Sequence, residues 1–407
     1  MFPKLKKTPE QKPFLPYGRQ VIEDDDIAAV TDVLKSPFLT TGPKVQEFEK
    51  ALASYVGAEE AVVVSNGTAA LHLAAWAIGL QPGDQVIVPA VTFVATANAP
   101  RYLGADIIFA DVAPDTGLMR PEDLKNAISK ADPDKLKAVF NVHLGGQTED
   151  LETICDIAQI NGLKLIDDAC HAIGTSFKDR HGRNQKVGAN ALSDLTVFSF
   201  HPVKTIAMGE GGAVTTKDPA LAAELRALRS HGITHTKGEF KNLDLAFEGG
   251  SQNPWYHELQ QLGVNYRATD LQCALGTSQI KKADRFIQQR RKLISTYDEL
   301  LAPLAPKIVA VTRHAPDLTG WHLSVALFDF AAIGKTRAQV IETLKEQGIG
   351  TQVHYIPVPL QPFYQDLYGK PEIPGAMAYY ERCLSLPLAA DMTEADVARV
   401  VEALKTL

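Results

Sequence analysis

The sequence predicts an α/β protein built on a mostly parallel sheet, and two observations predict it. Seven short β-rich runs alternate with helix-length segments through the first two-thirds of the chain. Most of these runs are continuously apolar rather than alternating, as expected of strands covered on both faces.

The predicted strands are AVVVS (61–65), QVIVP (85–89), DIIFADV (106–112), KAVFNVHL (137–144), LKLID (163–167), LTVFSF (195–200) and GAVTT (212–216). Helical segments are predicted between them at 67–79, 92–104, 121–131 and 148–161. A sheet of this kind receives ligands at the carboxyl ends of its strands. Near residue 267 the texture changes. A helical stretch from Thr269 to Leu301 is followed by a strand-like run 323–330, a helix opened by the Thr336-x-x-Gln339 capping pattern and a strand 349–355. Val397, Val400, Val401 and Leu404 then mark one face of a final helix. The expected organisation is an arm over residues 1–22, rich in Pro and Lys, a large domain over 23–284 and a smaller α+β domain over 285–407.

A formal charge of −7 argues against nucleic acid or an anionic membrane as the main partner. The basic clusters Lys4, Lys6, Lys7 and Arg290, Arg291, Lys292 read as solvated faces. The chain has no apolar run of spanning length and no signal-peptide core, so a cytoplasmic protein is expected. Cys155, Cys170, Cys273 and Cys383 are scattered, which indicates neither a disulfide framework nor a zinc site.

Three motifs fall at strand ends. In FSFHPVKTIAMGEGG (198–212), Pro202 should end the strand and leave Lys204 in the mouth of the sheet. An amine there either snorkels to solvent or is desolvated into a nucleophile toward a carbonyl. Gly209, Gly211 and Gly212 would let a bulky ligand approach the backbone, although GEGG alone is only a turn. The segment SNGTAAL (65–71) opens a helix with Gly67 and Thr68, which suits a phosphate as well as it suits ordinary N-capping. In LIDDACH (165–171), Asp167 and Asp168 end an apolar strand and should face opposite sides. A protonated heterocycle nitrogen would partner the one in the site; helix capping is the alternative. Together, a lysine, a carboxylate and a phosphate cradle meet the requirements of pyridoxal 5′-phosphate (PLP).

The chain resembles the sugar-aminotransferase branch of the fold-type I PLP enzymes, the DegT/DnrJ/EryC1/StrS family. The resemblance is carried by SNGTAAL, PAVTFVATANA, IDDACHA, FSFHPVKTIAMGEGG and GVNYRATDLQCALG in that order, and runs from the Leu39–Pro43 segment to His354-Tyr355. HPVKTI, TANAPRYLGA and NYRATDLQCALG are similar to the UDP-4-amino-4,6-dideoxy-N-acetyl-β-L-altrosamine transaminases of pseudaminic acid biosynthesis. The resemblance implies that Lys204 binds the cofactor aldehyde and shuttles a proton, that Asp168 faces the ring nitrogen and that His171 lies beside the ring. It implies that Phe93 stacks on the ring face and that Gly67, Thr68 and Ser199 bind the phosphate. Asn265 would reach the phosphate from the other subunit of a homodimer with shared active sites. Thr41, Gly42, His354 and Tyr355 would line the nucleotide-sugar side; a packed strand end is the alternative for His354-Tyr355. The implied reaction moves an amino group from L-glutamate to C4 of a UDP-linked 4-keto-6-deoxy-N-acetylhexosamine.

Three features depart from the family pattern. IDDAC stands where IEDAA is frequent, Ala207-Met208 stands where two threonines are usual, and the polar stretch 179–194 is longer and reads as a surface loop, with a substrate flap as the alternative. The 3-dehydratases of the family carry histidine at the position of Lys204, so this lysine favours the transaminase. A transaminase for a bacillosamine- or perosamine-type 4-keto sugar would keep the same catalytic residues. A non-catalytic sensor is disfavoured by the Lys204/Asp168 pair, and a nicotinamide enzyme by the missing G-x-G-x-x-G.

Overall fold

The structure is a computed structural model that describes residues 13–407, so the predicted arm before Pro13 lies outside the described residues. The seven predicted strands form one sheet. They are β1 (Glu60–Val64), β2 (Gln85–Pro89), β3 (Asp106–Ala110), β4 (Leu136–Val142), β5 (Lys164–Asp168), β8 (Leu195–Ser199) and β9 (Gly212–Thr216). The hairpin strands β6 (Ser176–Lys178) and β7 (Asn184–Lys186) lie outside it. The order across the sheet is β1-β9-β8-β5-β4-β2-β3, and only β9 runs against the others.

Continuous apolarity follows from burial on both faces. Along β1, Val62 and Val64 enter the cluster beneath helix α3 (Gly67–Ala77), while Ala61 and Val63 meet Phe48, Leu52 and Val56 of helix α2 (Pro43–Val56) on the other side. Ile166 and Leu165 of β5 divide between the two faces in the same way. With apolar neighbours above and below, a polar residue inside a strand needs a partner, as Thr196 of β8 finds in Asn190 and Ser193.

The C-terminal third differs from the sequence-based expectation at two places. The helical stretch 269–301 is two helices, Asp270–Ile280 and Ala283–Leu301, separated at Lys281-Lys282. Lys282 turns its amine to Asp25 and Asp26, each at 2.7 Å, on helix α1 (Asp24–Leu34), which fixes the break. The segment 349–355 is extended but is not a strand. Its backbone pairs only at the bridges Leu15–Ile349 and Gln352–Ser385, while Val353 and Tyr355 pack into the core. The antiparallel sheet beside it consists of Ile308–Ala310, Ser324–Phe328 and Cys383–Leu386. Thr336 and Gln339 cap the helix Arg337–Glu346 reciprocally, as predicted. The last helix, Glu394–Lys405, buries Val397, Val400, Val401 and Leu404, each contributing about 1.5–3 kcal/mol.

Residues 13–22 cross this region as a strap. Leu15 exchanges backbone hydrogen bonds with Gly348 and Gly350, and the Leu388 N–H donates to the Tyr17 carbonyl. The stretch 179–194 contains the hairpin strand β7 and then packs inward. Val187 is buried, and Phe198 fills the space where a side chain at Gly188 would stand.

Candidate active site

Because β1, β2, β4, β5 and β8 run parallel, their carboxyl ends share one edge, and a cavity of about 860 Å³ opens there. Nine sequence-predicted site residues line it: Gly67, Thr68, Phe93, Asp168, His171, Ser199, Lys204, His354 and Tyr355. Their segments are up to 288 positions apart in the chain (355 − 67).

Lys204 follows β8 on a tight turn, its N–H bonded to the His201 carbonyl at 2.8 Å. Burial lowers its pKa, opposed by Cys170 and Asp168 nearby. The amine is thus poised to lose its proton and act on a carbonyl. Two of the neighbouring glycines are required by packing within the chain itself. A Cβ on Gly212 would stand 2.3 Å from the Asn66 carbonyl oxygen, and one on Gly211 would stand 2.8 Å from Met208 Sδ. Gly212 thus lets β9 pass close to the start of α3, and Gly211 leaves room for Met208.

Asp168 and Asp167 separate as the strand period requires. The Thr96 hydroxyl donates to Asp168 Oδ2 at 2.6 Å and the Cys170 N–H to Oδ1 at 3.2 Å. Asp167 instead takes the Asn141 amide at 3.3 Å and lies 3.3 Å from His143 Nε2, away from the cavity. The Gly145 N–H donates to His171 Nδ1 at 3.2 Å, so the His171 proton sits on Nε2, 3.2 Å from the Tyr355 hydroxyl. Burial first, and Lys204 second, hold this imidazole neutral.

The third wall is the N-terminus of α3. Asn66 accepts from the Ala69 N–H through its side chain and from the Ala70 N–H through its carbonyl. By helix geometry the Gly67 and Thr68 N–H groups have no partner within the helix and point out of its positive end. A Cβ on Gly67 would stand 2.9 Å from Ser199 Cβ, so glycine is what lets the Ser199 hydroxyl close this cradle.

Three predicted residues are not in this cavity. Thr41 and Gly42 are held elsewhere, the Gly42 N–H donating to Asp270 Oδ2 at 2.8 Å. Asn265 is exposed at the Ser230–Asn265 bridge. Sequence reasoning missed Tyr17, His322 and Thr96, all of which line the cavity. Thr96 sits three positions after Phe93 on the helix Val94–Tyr102, and that spacing was a usable signal. Nothing local marked Tyr17 or His322.

An amine, a carboxylate and a helix-terminal phosphate cradle around one cavity fit PLP, and they define a PLP-dependent enzyme of the fold-type I class. The chain belongs to the DegT/DnrJ/EryC1/StrS aminotransferase family, which it matches over residues 20–405. It is 39% identical over 397 residues to the spore coat polysaccharide biosynthesis protein SpsC of Bacillus subtilis, covering 97% of each chain. Among solved structures it is similar to Helicobacter pylori PseC, an aminotransferase of pseudaminic acid biosynthesis. The TM-score is 0.85 and the identity 27%, over 97% of this chain and 98% of that one. Spr1654 of Streptococcus pneumoniae in its PLP-form superposes with a TM-score of 0.82 at 27% identity, over 97% and 98% of the two chains. The protein is a PLP-dependent sugar aminotransferase of this family. Among the described residues no helix is long and apolar enough to cross a membrane.

Proposed function

We propose that the protein transfers the amino group of L-glutamate to C4 of a UDP-linked 4-keto-6-deoxy-N-acetylhexosamine, the transamination of the pseudaminic acid route. The observation that carries the transaminase reading is that Lys204, Asp168 and the start of α3 all line one cavity. Likeness to PseC, together with the HPVKTI, TANAPRYLGA and NYRATDLQCALG segments, supports the choice of sugar.

When bound, PLP supplies an aldehyde that joins an amine and a ring that accepts the electron pair left by a broken C–H bond. In this reading Lys204 holds the aldehyde at rest. Its amine would take the α-proton of the donor and return a proton at the adjoining carbon, so that the donor leaves as its 2-oxo acid and its nitrogen stays with the cofactor. With the keto sugar the same amine would move protons in the opposite sense while the stored nitrogen passes to the sugar. Asp168, steadied by Thr96, holds a proton on the ring nitrogen. Phe93 covers one ring face and His171 stands beside the ring. Gly67, Thr68 and Ser199 bind the phosphate through N–H and hydroxyl groups. Asn265 of the partner subunit completes the phosphate site of a homodimer. His354 and Tyr355 border the substrate, and Thr41 and Gly42 approach it only from the other subunit.

A second reading is favoured by the 39% identity to SpsC: the product is an amino sugar of another surface polysaccharide. The first test is the visible spectrum of the purified protein and of Lys204→Ala, with L-glutamate added. The lysine-bound cofactor band should bleach with glutamate in the wild type and be missing in the variant. The UDP-4-keto-6-deoxy-N-acetylhexosamine should restore the bleached band faster than other nucleotide-linked 4-keto sugars. A protein that takes up no PLP sinks the proposal. Restoration by a different sugar selects the second reading.

A further inference from the structure

Part of the cavity wall comes from the strap and the C-terminal third. Tyr17, His322, Gln352 and His354 line it. The rings form a connected group: His322 lies 4.5 Å from His171, His354 lies 6.5 Å from His171, and Tyr17 lies 5.3 Å from His354, between centroids. Two of these rings are already bonded within the protein. His171 is bonded at both nitrogens, and His354 Nδ1 meets the Ser385 hydroxyl at 2.8 Å.

His322 is different. It is 4% exposed, and its Nδ1 is buried without any partner. Its backbone is fixed on both sides, the N–H donating to the Gly145 carbonyl and the carbonyl accepting from Arg290. A buried unpaired N–H costs more than a buried unpaired lone pair, which favours the tautomer with the proton on Nε2. In a residue that lines the cavity, that proton is a donor waiting for an acceptor.

The amino donor brings carboxylates, and a buried carboxylate needs hydrogen bonds. Among the described residues of this one chain that line the cavity there is no arginine, and Lys204 is the only lysine. We infer that the wall formed by Tyr17, His322 and Gln352 is the subsite for a carboxylate of the amino donor, read by neutral donors instead of a guanidinium. This rests on the proposal that the enzyme alternates between a dicarboxylic amino acid and a sugar. An arginine placed here would lose its partner whenever the sugar occupied the site. Histidine, tyrosine and glutamine can donate to a carboxylate and then exchange hydrogen bonds with sugar hydroxyls.

The test uses holoenzyme and glutarate, a dicarboxylate with neither amine nor keto group, titrated by calorimetry. His322→Ala should weaken glutarate by roughly ten- to a hundredfold, the loss of a hydrogen bond to a charged group. Tyr17→Phe, which is the milder change to the fold, should weaken it in the same direction. His322→Gln should recover part of the loss, and the cofactor spectrum should stay intact in all three. Equal glutarate affinity in wild type, His322→Ala and Tyr17→Phe overturns the subsite even if glutamate serves as donor. A wild type whose cofactor band glutamate does not bleach overturns the donor reading instead, whatever the glutarate titration shows.

Discussion

The Thr96 hydroxyl donates to Asp168 at 2.6 Å while the Thr92 and Thr96 hydroxyls lie 2.8 Å apart. With its one proton committed to the carboxylate, Thr96 must accept from Thr92, so a two-hydroxyl relay steadies the acid from the loop that carries Phe93. Thr96→Val removes a hydrogen bond to a charged group, about 1.5–3 kcal/mol. PLP affinity, measured by absorbance titration, should fall by roughly tenfold or more while the fold persists.

Lys204 carries a pKa lowered by burial from 10.5. In the cofactor-free protein its folded value is below its unfolded value, so burying its charge costs stability. That cost is complete below the folded value and vanishes as pH rises through 10.5. Lys204→Met should therefore melt at or above the wild-type temperature near pH 7, and the difference should close by pH 10.5. A variant less stable by the same margin at every pH would contradict this.

His171, His322 and His354 are held neutral mainly by burial, His354 down to about 3. Each takes up a proton on unfolding below 6.5 and not before. No stability is lost through them above 6.5, and each removes stability as pH falls from there toward its folded value. The melting temperature of His354→Asn should decline less steeply than wild type between pH 6.5 and 5.

Gly67→Ala would set a methyl 2.9 Å from Ser199 Cβ. The overpacking costs about 1–3 kcal/mol and pushes Ser199 from the start of α3. Thermal stability should drop modestly, and PLP affinity should drop by more than the stability loss accounts for. Unchanged PLP binding would remove Ser199 and Gly67 from the cradle.

Asn265 is exposed and outside the cavity of its own chain. If it serves the partner's site, co-expressed Lys204→Ala and Asn265→Ala chains form mixed dimers with one fully intact site. Such dimers should be more active than either parent homodimer, by about half the wild-type activity. Sites confined to single chains would show no gain.

The sequence by itself determined the seven strands, the helices between them and the residues at the strand ends. Those features are local: apolar runs buried on both faces, turn residues that stop them, and charged groups placed where the strands end. Lys204, Asp168 and the Gly67-Thr68 pair were legible for that reason, since each sits where a buried strand meets the cavity edge. The family motifs added Phe93, Ser199 and His171, which carry no local signal of their own. Only the tertiary structure decided the part of the wall that comes from the strap and the C-terminal third. Tyr17 and His322 reach the cavity because a strap and the segment leading into Ser324–Phe328, from distant parts of the chain, pack there, and no spacing in the sequence records that meeting. The same holds for the glycines after Lys204. In sequence they read as room for a ligand; in the fold Gly212 also makes room for the Asn66 backbone and Gly211 for the Met208 side chain, which no local pattern records.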